Sequence, residues 1–275
     1  MPVDVDAPVI ANTRLSEDYN VLALAAPEIG RLTRPGQFVM LKPGRGLEPL
    51  LRRPFSVFEV LRDANGSPTG ISILNKRIGV GTGMLYALNP GDRVSVLGPL
   101  GRPFSPVTPG AEAWLVAGGV GLAPFATMAE LLIAQKVSTT LFYGARRGAD
   151  LYYADWFTSR GVRVVTSTED GSAGDRGFVT APLQRTLAGR TSHRPVAIYV
   201  CGPTPMMRAV SSLAADHGYD TEVSLEQTMG CGMGGCYSCV VRIREDEGHA
   251  PHFVRSCLAG PTFRARDIVW EELAH

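Results

Sequence analysis

From about Ile10 to Leu100 the apolar residues arrive in short runs parted by turn residues: VLALAAP, QFVMLKP, PFSVFEV, GISILNK and RVSVLGP. Runs of this length, rich in Val, Ile and Phe and separated by Pro-Gly, Asn-Gly and Pro-Gly-Asp, predict an antiparallel β-barrel or sandwich, with one short helix over Gly83 to Leu88 inside it. The rhythm changes after Phe104. AWLVAGG is strand-like, GLAPFATMAELLIAQ has its apolar residues at helical spacing, and TTLFYGA is strand-like again. The alternation recurs through VRVVTSTED, APLQRTLAG, VAIYVCG and PMMRAVSSLAADHG, which predicts a parallel α/β sheet. From about Glu222 the alternation stops. The remaining residues comprise a loop rich in glycine and cysteine, one strand over CVVRIRE, a polar hairpin through Glu247 and Gly248, and a last cysteine in FVRSCLAGP. The expected fold class is a multi-domain α+β chain in three parts, residues 1–104, 105–221 and 222–275, without internal repeats.

Composition narrows the possible partners. The 275 residues are 45% apolar and 19% charged, with a net charge of +1 and no basic block. That argues against nucleic acid or an anionic membrane surface as the main partner. The opening MPVDVDAPVI has no basic segment leading into an apolar one, and nowhere do 18 apolar residues run together, so no membrane and a cytoplasmic location are expected.

Five cysteines is an odd number, and four of them fall in the last fifth of the chain, which is a poor pattern for a disulfide framework. Their spacing is Cys231, four residues, Cys236, two residues, Cys239, then seventeen residues to Cys257. A C-x4-C-x2-C run with a distant fourth cysteine is the plant-type ligation pattern of a 2Fe–2S cluster. Such a cluster needs a loop that wraps it closely and turns backbone N–H groups toward its sulfurs, and Gly230, Gly232, Gly234 and Gly235 suit that demand. Four thiolates also suit a tetrahedral zinc site, although zinc sites usually draw on two short C-x2-C hairpins and only one is present here. His249 and His252, in the hairpin before Cys257, are read as solvated loop residues, with a mixed ligand set as the alternative. Cys201 ends an apolar strand far from the others and is not expected to be a fifth ligand.

The segment GGVGLAP, Gly118 to Pro124, is a second candidate. It lacks the third glycine of a GxGxxG fingerprint, with Pro124 in that place, but it follows a strand and opens a helix, the context in which backbone N–H groups meet a phosphate.

Taken together, RPFS at Arg53 to Ser56, the Gly81-Thr82 pair, GGVGLAP, CGP at Cys201 to Pro203 and the cysteine loop resemble the ferredoxin reductase superfamily. In that superfamily a flavin-binding barrel precedes a nicotinamide-binding α/β domain. Within it, PGQFVML, GTGMLYAL, GDRVSVLGPLGRPF, CLAGPTF and the C-terminal cysteine pattern are similar to the electron-transfer subunits of NAD-dependent dihydroorotate dehydrogenases. The resemblance covers essentially the whole chain. It implies FAD in the barrel, NAD in the α/β domain and a 2Fe–2S cluster in the C-terminal domain on Cys231, Cys236, Cys239 and Cys257.

By the same resemblance, Arg53, Pro54, Phe55 and Ser56 serve the flavin: a guanidinium for its phosphate, an apolar contact for the ring system and a hydroxyl for the ring nitrogen N5. Leu74, Asn75 and Lys76 would line the flavin, and Gly81-Thr82 would offer amides to its pyrophosphate. Gly118, Gly119 and Gly121 would meet the dinucleotide, and Cys201, Gly202 and Pro203 the nicotinamide side; a buried thiol packing as a small hydrophobe is the other reading of Cys201. Arg146 and Arg147 are solvated loop residues or, if NADP is used, contacts to its 2′-phosphate.

Nicotinamide moves electrons in pairs and a 2Fe–2S cluster takes one, so a flavin between them is the natural converter. Hydride transfer between stacked rings needs positioning and no protein acid or base, so no catalytic residue is expected. No third large domain offers room for an organic substrate. The resemblance therefore implies a partner, a catalytic dihydroorotate dehydrogenase subunit holding FMN, in a heterotetramer of two and two. Met229, Met233 and Tyr237 would touch it or pack beneath the loop. Two alternatives remain: a flavin and iron–sulfur reductase for a hydrogenase, a sulfide-linked transhydrogenase or an oxygenase, and a zinc-holding scaffold without flavin.

Overall fold

The computed structural model describes residues 1–44, 46, 48–244 and 250–273, so the expected hairpin tip with Glu247, Gly248 and His249 lies outside the described residues. The chain forms two compact units. One comprises Met1–Pro103, Gln227–Val240 and Arg255–Pro261; the other comprises Phe104–Glu226, Val241–Val254 and Thr262–His275. The stretch from 222 onward is shared between them.

The first unit is a curled antiparallel sheet. Its strands are β1 (Val3–Arg14), β2 (Tyr19–Leu24), β3 (Phe38–Pro43), β4 (Arg53–Ser56), β5 (Glu59–Arg62), β6 (Pro68–Lys76) and β7 (Arg93–Leu100), with short helices α1 (Pro27–Leu32) and α2 (Val80–Ala87). They lie in the order β4-β3-β7-β1-β2-β6-β5. Strand β1 pairs with β7 through Val3–Pro8 and with β2 through Val9–Arg14, yet VDVDAPVI does not stand out as an apolar run, because aspartates and a proline alternate with its inward Val3, Val5, Ala7 and Val9. Inside the curl pack Val9, Leu22, Leu24, Ile29, Val39, Leu41, Ile71, Ile73, Leu85, Val94 and Val96.

Helix α2 starts at Val80 and not at the expected Gly83. The Thr82 hydroxyl accepts the Ile78 and Gly79 amides at 2.9 and 3.0 Å, which fastens a first turn whose glycines conceal it from a helix propensity reading. A chain of three asparagines holds this helix to the sheet. The Asn12 amide donates to the carbonyls of Leu85, Tyr86 and Leu88, the last at 2.8 Å. Asn20 donates to Asn12 Oδ1 at 2.6 Å, and Asn75 donates to Asn20 Oδ1 at 2.7 Å and to the Thr82 carbonyl at 3.0 Å. Asn20 and Asn75 are fully buried. Asn20→Ala strands one acceptor and one donor inside the sheet, at about 1–3 kcal/mol for each. The expected outcome is a lower urea midpoint at unchanged m-value; an unshifted midpoint would show that the chain contributes nothing to stability.

The second unit is a mainly parallel sheet of β8 (Glu112–Gly118), β9 (Thr139–Ala145), β10 (Arg163–Thr168), β11 (Asp175–Arg176), β12 (Val196–Cys201), β13 (Thr221–Ser224) and β16 (Thr262–Arg264), in the order β11-β10-β9-β8-β12-β13-β16. Only β16 runs antiparallel to its neighbour. Helices α3 (Phe125–Ala134), α4 (Ala154–Thr158), α5 (Thr180–Ala188) and α6 (Thr204–Asp216) link the strands. From β8 the chain winds outward through β9 to β11, then returns to place β12 on the other side of β8. The strand order therefore reverses between β8 and β12, where open α/β sheets bind ligands at the carboxyl ends of their strands. A two-stranded hairpin of β14 (Val240–Ile243) and β15 (His252–Arg255) leads into the short α7 (Ser256–Ala259).

Candidate cofactor sites

The cysteine loop packs on the barrel. Cys239 and Cys257 are buried in one cluster with Phe38, Met40, Leu97, Leu100 and Met229, while Cys231 is half-buried and Cys236 exposed. Cys239 precedes β14 and Cys257 lies in α7, and the Cys239 carbonyl accepts the Ser256 amide at 2.9 Å, which joins the two segments. Cys231 acts on the Cys236 thiol, and Cys239, with Cys231 behind it, on the Cys257 thiol. Three thiols on one glycine-rich loop and a fourth on the adjoining helix suit a 2Fe–2S cluster.

The Met233 and Gly235 amides donate to Cys231 Sγ at 3.4 and 3.2 Å, the N–H to sulfur bonds such a loop requires. Gly232 and Gly234 have φ of +73° and +82°. A Cβ on Gly232 would lie 2.5 Å from Met40 Cγ, and one on Gly234 2.5 Å from Leu258 Cδ1. At both positions the positive φ strains any side chain, and at Gly232 the Met40 stem also leaves no room for one.

The thiols differ in acidity. Cys236 is lowered to about 6, first by the Ser238 hydroxyl, then by the Ser238 amide and by Cys231. Cys257 is pushed up to about 12 by burial and by Cys239 beside it. Of the three residues named around the loop, Met229 packs beneath it, whereas Met233 and Tyr237 are 56% and 62% exposed. His252 is an exposed residue of β15.

Strand β3 explains how the loop meets the flavin candidates. Its first four residues are all buried, because both faces of the strand are covered. Val39 and Leu41 point into the curl, while Phe38 and Met40 belong to the cluster beneath the cysteines. Strand β4 lies alongside with Ser56 opposite Phe38 and Pro54 opposite Met40. Directly opposed residues share a face. Pro54 and Ser56 are therefore on the face that carries the cysteine loop, whereas Phe55, opposite Val39, packs against the barrel core.

Arg53 begins β4. Its guanidinium donates to the Leu51 and Arg52 carbonyls at 2.9 and 3.3 Å, and its stem passes 3.6 Å from where a Cβ on Gly81 would sit. An exposed cation thus stands beside the first turn of α2, whose leading amides have no intrahelical acceptor and which carries no acidic side chain. A cation and a glycine at a helix start fit a diphosphate. Leu74, Asn75 and Lys76 lie on β6 next to this turn. Leu74 and Asn75 are buried, so Asn75 acts through its bond to the Thr82 carbonyl, and Lys76 sits 5.4 Å over the Tyr19 ring.

In the second unit, Gly118 ends β8 and Gly119–Leu122 forms a 3-10 turn leading into α3. Ala117 pairs with Cys201, so the glycine turn and CGP lie side by side at the switch point. A Cβ on Gly121 would come 2.4 Å from the Cys201 carbonyl oxygen and 2.6 Å from Gly202 Cα, and one on Gly118 2.5 Å from Met206 Sδ. These glycines are small because two chain segments touch, a reason invisible in the motif. The Cys201 thiol is buried, and burial followed by the nearby Glu226 holds it well above its ordinary range. What Cys201 presents at the sheet edge is therefore backbone. Arg147 is engaged by Asp150 at 3.2 Å, and Arg146 accepts the Asp170 amide through its carbonyl.

Residues 115–212 match the oxidoreductase NAD-binding domain, and residues 226–269 match the iron-sulfur cluster binding domain of dihydroorotate dehydrogenase B. A Desulforamulus reducens protein named dihydroorotate dehydrogenase B (NAD(+)), electron transfer subunit, is 38% identical over 97% of this chain and 98% of its own length. A Bacillus velezensis protein of the same name is 33% identical over 94% of this chain and 96% of its own. Among solved structures, a chain from the NADH-dependent reduced ferredoxin-NADP oxidoreductase, studied for flavin-based electron bifurcation, superposes with a TM-score of 0.84 at 27% identity, covering 98% of this chain and 91% of that one. By that extent of full-length identity, the chain belongs to the family of dihydroorotate dehydrogenase B (NAD(+)) electron transfer subunits.

Proposed function

We propose that this oxidoreductase chain carries electrons from the FMN of a catalytic dihydroorotate dehydrogenase partner, by way of a 2Fe–2S cluster and FAD, to NAD+. The observation that carries this reading is the shared face of β3 and β4: the loop bearing Cys231, Cys236 and Cys239 lies on Met40, and Pro54 and Ser56 stand beside it on the same surface. When bound, the flavin and cluster supply exchange between hydride pairs and single electrons.

The chain's own residues position these groups. Four cysteines hold iron, Arg53 and the Gly81-Thr82 turn hold the flavin diphosphate, and Ser56 and Pro54 hold the ring system. Phe55 and Leu74 support the barrel wall, and Asn75 fixes α2 while Lys76 borders it. Gly118, Gly119 and Gly121 with Cys201, Gly202 and Pro203 form the nicotinamide cleft through backbone. On this reading residues 1–104 serve FAD, 105–221 serve NAD and 222–275 serve the cluster. The exposed Met233 and Tyr237 face the partner in a cytoplasmic heterotetramer of two and two. No described helix is long and apolar enough to cross a membrane.

The test is anaerobic titration of the purified chain with NADH, followed by visible absorption. Flavin and iron–sulfur bands are both expected to bleach. A colourless protein, or flavin without an iron–sulfur band, would overturn the cluster reading. Dihydroorotate is then expected to bleach the same bands only when the catalytic subunit is added. The similarity to the ferredoxin-NADP oxidoreductase chain favours, as a second reading, the same relay serving another redox partner. A failure of dihydroorotate to reduce the mixed subunits would select it.

A further inference from the structure

Arg255 ends β15 and turns toward the cysteine loop. Its Nη1 donates to the Gly234 carbonyl at 2.8 Å, and its guanidinium carbon lies 4.9 Å from the centre of the Tyr237 ring. It thereby touches the loop on both sides of Cys236. The Gly234 carbonyl and the Gly235 N–H belong to one trans peptide, so they point in opposite directions. On the far side of that peptide, the Gly235 N–H donates to Cys231 Sγ at 3.2 Å. Arg255, peptide and ligand sulfur therefore form one line of hydrogen bonds.

We propose that Arg255 is a positioning residue that raises the cluster's reduction potential, by polarising the Gly234–Gly235 peptide whose N–H is donated to Cys231. A cation on the carbonyl oxygen draws electron density from the amide and strengthens the bond its N–H makes, because bonds in such a chain polarise one another. Hydrogen bonds to ligand sulfurs and local charge are among the factors that set a cluster's potential. Reduction adds negative charge, so both the strengthened N–H and the cation favour the reduced form. No other charged residue occurs in segments 227–240 and 255–261, the two that carry the cysteines, so Arg255 is their one fixed charge. The stack on Tyr237, a non-glycine residue at φ +60°, holds the guanidinium in register with the peptide. The inference rests on the cluster reading above.

The test is an anaerobic redox titration of wild type, R255Q and R255K, each with its catalytic partner, with the reduced cluster read by electron paramagnetic resonance. R255Q is expected to shift the reduction equilibrium toward the oxidised form by about tenfold, ~59 mV for a one-electron couple. The coupling of one exchangeable proton to the reduced cluster is expected to weaken. R255K, which keeps the charge, is expected to recover part of the shift. R255Q with unchanged potential and proton coupling would overturn the proposal, even if its melting temperature fell, because it would leave Arg255 a structural role only. If R255Q does not retain iron, R255K decides: a potential below wild type supports the proposal, and an unchanged one overturns it. Wild-type protein without iron would instead overturn the cluster reading itself, and this inference with it.

Discussion

Cys239→Ala is expected to abolish the iron–sulfur absorption and to stop electron passage between the proposed catalytic subunit and this chain, while NADH still reduces the flavin. Cys239 is 2% exposed and shares one buried cluster with Cys257, Phe38, Met40, Leu97 and Leu100. The side chains packed around it are apolar, so the lost thiolate leaves an iron without its ligand. The wall itself survives, because alanine removes only a small side chain, at about 1–3 kcal/mol. The measurements are iron content, visible spectrum, and the rate at which dihydroorotate reduces added NAD+ in the assembled enzyme. Cys201→Ala is the comparison. It also deletes a buried thiol, but one with no cysteine partner, and it is expected to keep full iron content. Iron retained in the Cys239 variant would refute the ligand assignment.

Gly121→Ala is expected to weaken NADH binding by about tenfold or more, ~1.4 kcal/mol, and to destabilise the second unit by about 1–3 kcal/mol. The new Cβ would fall 2.4 Å from the Cys201 carbonyl oxygen, which is backbone and cannot swing aside. Relief requires the turn after β8 to move away from the end of β12, and these two strand ends form the proposed nicotinamide cleft. The iron–sulfur spectrum belongs to the other unit and should be unchanged. Stopped-flow reduction of the flavin at several NADH concentrations separates weaker binding from slower transfer. An affinity equal to wild type would place the dinucleotide elsewhere.

The parallel sheet was legible because its strands are continuous apolar runs broken by helices at regular spacing, the pattern of a sheet covered on both faces. The cysteine pattern was legible for a different reason. Ligand chemistry demands particular atoms at particular spacing, and C-x4-C-x2-C with a distant cysteine states that demand locally. Strand β1 escaped a reading that looked for continuous apolar runs, because its inward residues alternate with aspartates, which is itself the period-two pattern of a half-buried strand. The true start of α2 was hidden by glycines that propensity counts against a helix.

The amino-acid sequence by itself determined the succession of barrel strands, α/β alternation and thiolate loop, and with it the cofactor classes the chain can hold. These are properties of neighbours along the chain. Tertiary structure alone decided that the cysteine loop, some 190 residues beyond β3, rests on Phe38 and Met40, and that Pro54 and Ser56 look out on the same face. It also decided that Gly121 is small because Cys201 presses against it, that Asn12, Asn20 and Asn75 form one line under α2, and that Arg255 reaches the Gly234 peptide. The physical reason is the same in each case: a contact between distant segments is set by the register of strands and the closure of loops, and no residue carries the identity of its future neighbour.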